Sequence, residues 1–173
     1  MFKKLVLLMA SVLVILTLAP CTLAADNNLL KNSSFEDEDN GSPASWRTEA
    51  WQKNPGDSEF KLETGIAYEG SKCVSINNNI DNDSRYMQEV PVEKDKNYKI
   101  SGWIKAENVG DQGKGANLSI GSQLVTTIDI KGTTDEWEFV EMYAYIGEGI
   151  DSINVTAGIG GYGAVNTGKA YFD

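Results

Sequence analysis

Apolar and polar residues alternate in short runs along most of this chain, and Gly, Asn, Asp and Pro separate the runs. Successive side chains of a β-strand point to opposite faces, so a period of two marks a strand with one face buried. The pattern predicts strands near 28–36, 58–63, 71–77, 85–92, 97–106, 116–120, 125–130, 137–146, 151–159 and 168–173. Over 97–106, Tyr98, Ile100 and Ile104 share a face with Gly102, and Lys99, Ser101, Trp103 and Lys105 share the other. Over 137–146, Val140, Met142, Ala144 and Ile146 oppose Glu141, Tyr143 and Tyr145. Ile153, Val155, Ala157 and Ile159 alternate in the same way with Asn154, Thr156 and Gly158. Almost no segment repeats apolar residues at i, i+3, i+4 and i+7 for three turns. Many short strands with turn residues between them predict an all-β sandwich or barrel. The connections 36–45, 77–84, 108–116 and 158–168 are polar or Gly-rich, and none reads as a linker between two domains.

The first segment breaks the pattern. Met1-Phe2-Lys3-Lys4 is basic, an apolar run spans Leu5 to Ala19, and Pro20 precedes the small residues of Thr22-Leu23-Ala24. This is the three-part pattern of a secretory signal peptide, cleaved after Ala24. A run of about 15 apolar residues is shorter than the ~20 that a membrane span needs. An uncleaved anchor, or a lipoprotein modified at Cys21, is the alternative; Pro20 is a poor residue before a modified cysteine. Residues 25–173 then form a single domain, 149 residues long, which is enough for a substantial core. At the other end, Lys169-Ala170-Tyr171-Phe172-Asp173 reads as a strand cut in its middle, which predicts a fragment of a longer reading frame.

Charge and residue counts narrow the chemistry. The chain has 25 acidic and 15 basic side chains and no histidine. Without histidine there is no Ser-His-Asp or Cys-His catalysis, no His-ligated zinc and no facial-triad iron. Acid–base chemistry would fall to carboxylates, Lys or Tyr. A net charge of −10, or −12 once two lysines leave with the signal, argues against nucleic acid and anionic membrane surfaces. Cys21 also leaves with the signal, so Cys73 has no intrachain disulfide partner and reads as a small buried hydrophobe. The run Asp37-Glu38-Asp39-Asn40-Gly41 lacks the spacing and distal Glu of an EF-hand and reads as a solvated turn.

Several local motifs, taken in order, carry a resemblance. Asn28-Leu29-Leu30-Lys31-Asn32-Ser33-Ser34-Phe35-Glu36 is followed by Gly41, Pro43 and Trp46, then by Gly70-Ser71-Lys72-Cys73-Val74. Gln88-Glu89-Val90-Pro91-Val92 and Tyr98 through Lys105 come next. Gly132-Thr133 through Trp137 and Gly168 through Asp173 close the series. Together they resemble carbohydrate-binding modules of the family 4/9/16/22 type, which are galactose-binding-like β-jelly rolls. A similar module stands at the amino end of some large clostridial membrane glycosyltransferases. The resemblance implies a two-sheet antiparallel β-sandwich and a structural calcium ion. Glu36 and Asp173 match the acidic residues of the opening and closing motifs, and carbonyls near Ser34 and from Ser71 or Lys72 would complete the calcium shell.

A sugar offers an apolar C–H face to an aromatic ring and hydroxyls to planar polar side chains. On the concave sheet implied by the resemblance, Trp103, Glu141, Tyr143 and Tyr145 would provide these, with Arg85 and Gln88 from a neighbouring strand. Trp51 and Tyr162 would form a lip. Trp46 and Trp137 are read as structural, and Tyr98 and Phe172 as core. The function expected is a secreted, monomeric, bacterial module that binds a polysaccharide or oligosaccharide without catalysis. Its mature domain would not insert into a membrane. The alternative is a cell-surface recognition or structural β-sandwich. A glycoside hydrolase would need two carboxylates at a set separation, and no motif singles out a pair.

Overall fold

A computed structural model describes residues 28–121 and 125–173, so the signal segment at 1–24 lies outside it. Among the described residues there is no α-helix. The strands are β1 (Glu38–Asp39), β2 (Ser42–Pro43), β3 (Arg47–Ala50), β4 (Ser58–Thr64), β5 (Lys72–Asn82), β6 (Ser84–Pro91), β7 (Lys96–Glu107), β8 (Ala116–Ile120), β9 (Glu138–Ile146), β10 (Ser152–Ile159) and β11 (Asn166–Phe172). β1 and β2 form a small hairpin. A four-stranded sheet runs β3-β6-β10-β8, and a five-stranded sheet runs β4-β5-β11-β7-β9. Every pairing is antiparallel. The fold is a two-sheet antiparallel β-sandwich.

The core lies where the two apolar faces meet. Tyr86, Val90, Leu118, Val155 and Ile159 come from the four-stranded sheet, and Val74, Ile76, Ile104, Val140 and Phe172 from the other. Full burial of such a side chain contributes about 1.5–3 kcal/mol. The alternation read in the sequence along β7 and β9 is the alternation of burial, whereas β10 alternates only as far as Val155 and is buried on both faces from Thr156 to Ile159. Three buried asparagines lace one end of the sandwich. The Asn78 amide donates to the Asn82 and Asn166 carbonyls, the Asn82 amide to the Gln52 carbonyl and Ser58, and the Asn166 amide to the Gly110 and Lys114 carbonyls. Backbone groups that loops leave unpaired are satisfied there by side chains, as burial demands.

Two predicted strands do not form. Residues 28–36 make turns, and Asn32 and Phe35 have positive φ, a conformation that non-glycine residues of a regular strand do not adopt. Asn32 stabilises the turn by donating to the carbonyls of Asp37 and Ala44 and accepting from the Asp37 amide. The Trp46 indole donates to the Asn32 carbonyl and packs on Phe35, with ring centroids 5.0 Å apart, which makes Trp46 structural as expected. Along 125–130 only isolated bridges form, Thr126 with Ser119 and Ile130 with Ala116.

Candidate functional site

The outer face of the four-stranded sheet carries a polar floor. The pairing register aligns Glu49, Arg85, Gly158 and Asn117 across the four strands in one row, and Arg47, Met87, Thr156 and Ser119 in the next. Arg85 lies across Gly158, where an added Cβ would stand 2.7 Å from Arg85 Cγ. Its guanidinium donates to Ser119 Oγ, Thr156 Oγ1 and the Gly160 carbonyl, and Nε lies 2.7 Å from an Asp83 carboxylate oxygen. Ser119 Oγ and Thr156 Oγ1 are 2.6 Å apart. At 9 % exposure Arg85 is a fixed part of the floor, so its role is to hold neighbouring groups rather than to reach out. More open groups lie beside it. Arg47 donates to Asn154 Oδ1 and pairs with Glu49 at 3.5 Å. These planar polar groups at preset positions suit hydroxyl recognition.

Aromatic side chains rise at one end of this floor. The Trp51 amide donates to the Asp83 carbonyl, and the Gln52 amide to Asn82 Oδ1. Tyr162 follows Gly160, which an added Cβ would drive into the Asn82 carbonyl at 2.4 Å. Trp51 is thus tied to the turn between β5 and β6, and Tyr162 lies two residues beyond the glycine that packs on that turn. They are the most exposed large apolar residues of those described, at 75 % and 80 %. A groove of about 370 Å³ lies at the edge between β3 and β4, lined by Thr48, Ala50, Gln52, Asn54 and Phe60.

The outer face of the five-stranded sheet carries another aromatic group. The register sets Trp103 opposite Phe139, Ser101 opposite Glu141, Lys99 opposite Tyr143 and Asn97 opposite Tyr145. Trp103 is enclosed: it stacks on Tyr68 with centroids 3.8 Å apart and touches Phe139 at 5.2 Å. Tyr143 and Tyr145 are 67 % and 62 % exposed, and the Tyr145 hydroxyl donates to Asp95. Trp137 packs edge-on to Tyr68 and Tyr171.

The sequence-predicted site thus divides. Trp103, Glu141, Tyr143 and Tyr145 share one outer face; Arg85 lies on the other sheet, and Trp51 and Tyr162 lie in the loops that follow its strands β3 and β10. Gln88 joins neither. Its amide donates to the Lys31 carbonyl and its oxygen accepts from the Lys31 amide, so it clamps the segment before β1 and is 6 % exposed. Arg47, Glu49 and Asn154 were not anticipated. The one available signal was the alternating Arg47-Thr48-Glu49 directly after Trp46.

A carbohydrate binding domain family matches residues 27–142. The chain belongs to this family. No curated protein matches it significantly. Solved carbohydrate-binding modules share the fold of this one. A structure of TmCBM61 in complex with beta-1,4-galactotriose is 20 % identical, with a TM-score of 0.57, over 84 % of this chain and 94 % of its own. A CBM22-2 xylan-binding domain from Paenibacillus barcinonensis is 15 % identical, with a TM-score of 0.54, over 77 % and 90 %. A family 16 carbohydrate binding module is 16 % identical, with a TM-score of 0.53, over 84 % and 96 %.

The carbohydrate-binding module brings Asp173 to the middle and Glu36 to the far end of the loop 65–71 between β4 and β5. Glu36 accepts from the Ser71 amide, the Ser71 hydroxyl and the Lys72 amide, each at 2.7 Å. Asp173 accepts from the Tyr68 and Glu69 amides. Burial pushes the Asp173 carboxyl above its ordinary value, and the charge of Glu36 adds to that. These donors do not suit calcium as arranged. N–H groups do not ligate it, and the Lys72 ammonium, which donates to the Glu36 main-chain carbonyl at 3.0 Å and sits 3.3 Å from Glu38, would repel it. Ser34 is exposed in the preceding turn. Among the described residues no three acidic or cysteine side chains cluster.

Proposed function

We propose that this chain is an exported, non-catalytic module that binds a polysaccharide across the outer face of the four-stranded sheet. The observation that carries the reading is the pairing of two exposed rings, Trp51 and Tyr162, with an ordered polar floor on one sheet. The rings offer stacking surface to the C–H faces of sugars, and Arg47, Glu49 and Asn154 offer donors and acceptors to hydroxyls. Export follows from the basic, apolar and small-residue pattern of residues 1–24.

Affinity electrophoresis on xylan, β-glucan, mannan, pectin and β-1,4-galactan tests this. At least one glycan should retard the protein, and Trp51→Ala or Tyr162→Ala should weaken retention at least about tenfold, the equivalent of ~1.4 kcal/mol. Neither substitution should lower the melting temperature, because both rings project into solvent. Free migration on every glycan would reject the reading. Release of reducing sugar would reject its non-catalytic part.

A second reading places the glycan on the five-stranded sheet, because Tyr143 and Tyr145 stand exposed two residues apart on β9 beside Glu141. Loss of retention in Tyr143→Ala with full retention in Trp51→Ala would favour it.

A further inference from the structure

β9 ends the five-stranded sheet, and among the described residues no strand pairs with its outer edge. β7 stands between β9 and β11, so a longer β11 would leave this edge unchanged. The neighbours of the edge set the direction of its backbone groups. Ala106 on β7 turns its N–H and C=O away from β11, to Thr134, and the Ile146 carbonyl accepts from the Asp95 amide on the β7 side. In an antiparallel ladder the same sense recurs at every second residue. Val140, Met142 and Ala144 therefore bond to Gly102, Ile100 and Tyr98, and the N–H and C=O of Phe139, Glu141, Tyr143 and Tyr145 point off the sheet. Natural edges are blunted by Lys, Pro, a bulge or shortness. The other edges of this sandwich are: β4 carries the Lys61–Glu59 ion pair, β3 has four residues, and β8 is bridged by the segment 125–130. β9 runs for nine residues without Lys, Arg or Pro and without a break in its register with β7. Phe139, Tyr143 and Tyr145 stand exposed along it.

This edge is complementary to itself. In place of the monomer expected from the sequence, we propose that two copies of the chain associate through β9, antiparallel about a twofold axis at Met142, so that their five-stranded sheets become one. Only residues whose backbone groups point off the edge can exchange hydrogen bonds across it, so Phe139, Glu141, Tyr143 and Tyr145 must meet one another. With the axis at Met142 all of them do: Phe139 lies opposite Tyr145 of the second copy, and Glu141 lies opposite its Tyr143. An axis at Glu141 would set two carboxylates face to face, which destabilises a strand pair. An axis at Tyr143 would leave Phe139 without a partner. The chosen register instead forms aromatic cross-strand pairs on the outer face, which stabilise one. A glycan has no row of amides and carbonyls at strand spacing to offer this edge. The four-stranded sheets stay open, so the pair would present two polar floors with their rings to one glycan. Association is measured without any glycan, so it fails independently of the glycan-binding reading.

The test is sedimentation equilibrium of the full chain from micromolar to millimolar concentration, at physiological ionic strength, which screens the repulsion between two chains of net charge −10. A monomer–dimer equilibrium is expected. As the dimer forms, the amides of Phe139, Glu141, Tyr143 and Tyr145 should exchange at least about tenfold more slowly, while those of Val140, Met142 and Ala144, already paired with β7, should not change. Substitution at the exposed Tyr143 reads the register. Tyr143→Lys sets an ammonium opposite Glu141 of the second copy and should tighten the dimer at least about threefold; Tyr143→Glu sets a like charge there and should weaken it by as much. Circular dichroism melts of dilute samples check that both variants fold. A monomer at every concentration overturns the proposal. Association that leaves the four amides unchanged, or that answers the two substitutions in the same direction or not at all, also overturns it and places the contact elsewhere. So does protection of the four amides in the monomer, which would place another segment of the same chain on the edge.

Discussion

Trp103 shows how a residue's neighbours decide its role. Its strand position gives it an outward face, but Tyr68 covers one side of the indole and Phe139 meets another. It works as packing on the outside of a sheet. Trp103→Ala should cost about 2–3 kcal/mol in denaturant unfolding, toward the low end for an aromatic truncation because the site is half-buried, and should leave glycan retention intact. Glu36 is decided by hydrogen bonds. The Ser71 hydroxyl, then the Lys72 and Ser71 amides, hold its carboxyl below the ordinary 4.5. A carboxyl held down on folding stabilises fully above the unfolded value, and that contribution fades as pH falls through the folded one. Glu36→Gln should therefore melt below wild type at pH 7, and the gap should narrow as pH drops below 4.5. Asp173 has the opposite sign, since its raised value makes folding less favourable as it ionises.

At the scale of elements, Gly158 sets the depth of the polar floor on β10. A Cβ there would meet the Ser84 carbonyl at 2.5 Å as well as Arg85. Gly158→Val should displace Arg85, release its bonds to Ser119 and Thr156, and lower both stability and glycan retention; circular dichroism melts and electrophoresis would show the two losses together. Most strands were legible in the sequence, β7 and β9 above all, because each buries one face and wets the other. β6 was harder. Residues from Ser84 to Gln88 are buried on both faces, so parity does not tell Gln88, turned inward onto Lys31, from Arg85, turned outward. The turn at 28–36 was missed because its cause is the Asn32 side chain, whose amide mimics a backbone partner over 12 residues. The division of the predicted site into two faces depends on strand order, and a single sequence does not print which strands are neighbours.

At the scale of the whole molecule, the Lys72 ammonium donates to the main-chain carbonyl of Glu36, one of the two acids that the family resemblance assigns to a metal. The melting temperature should be the same with millimolar calcium and with a chelator, because an ion that does not bind the folded state cannot raise its stability. A chelator-sensitive melt would show the loop 65–71 rearranging around an ion. Cys73 lies fully buried in β5 between β4 and β11, and burial pushes its thiol up to about 12. A thiol with that value and no exposure does not react while the sheet is closed. In a chain with Cys21 removed or replaced, Cys73 is then a clock: each encounter with a thiol reagent counts one opening of the middle of the five-stranded sheet. Its labelling half-life measures how long the sandwich survives between openings, without any added probe.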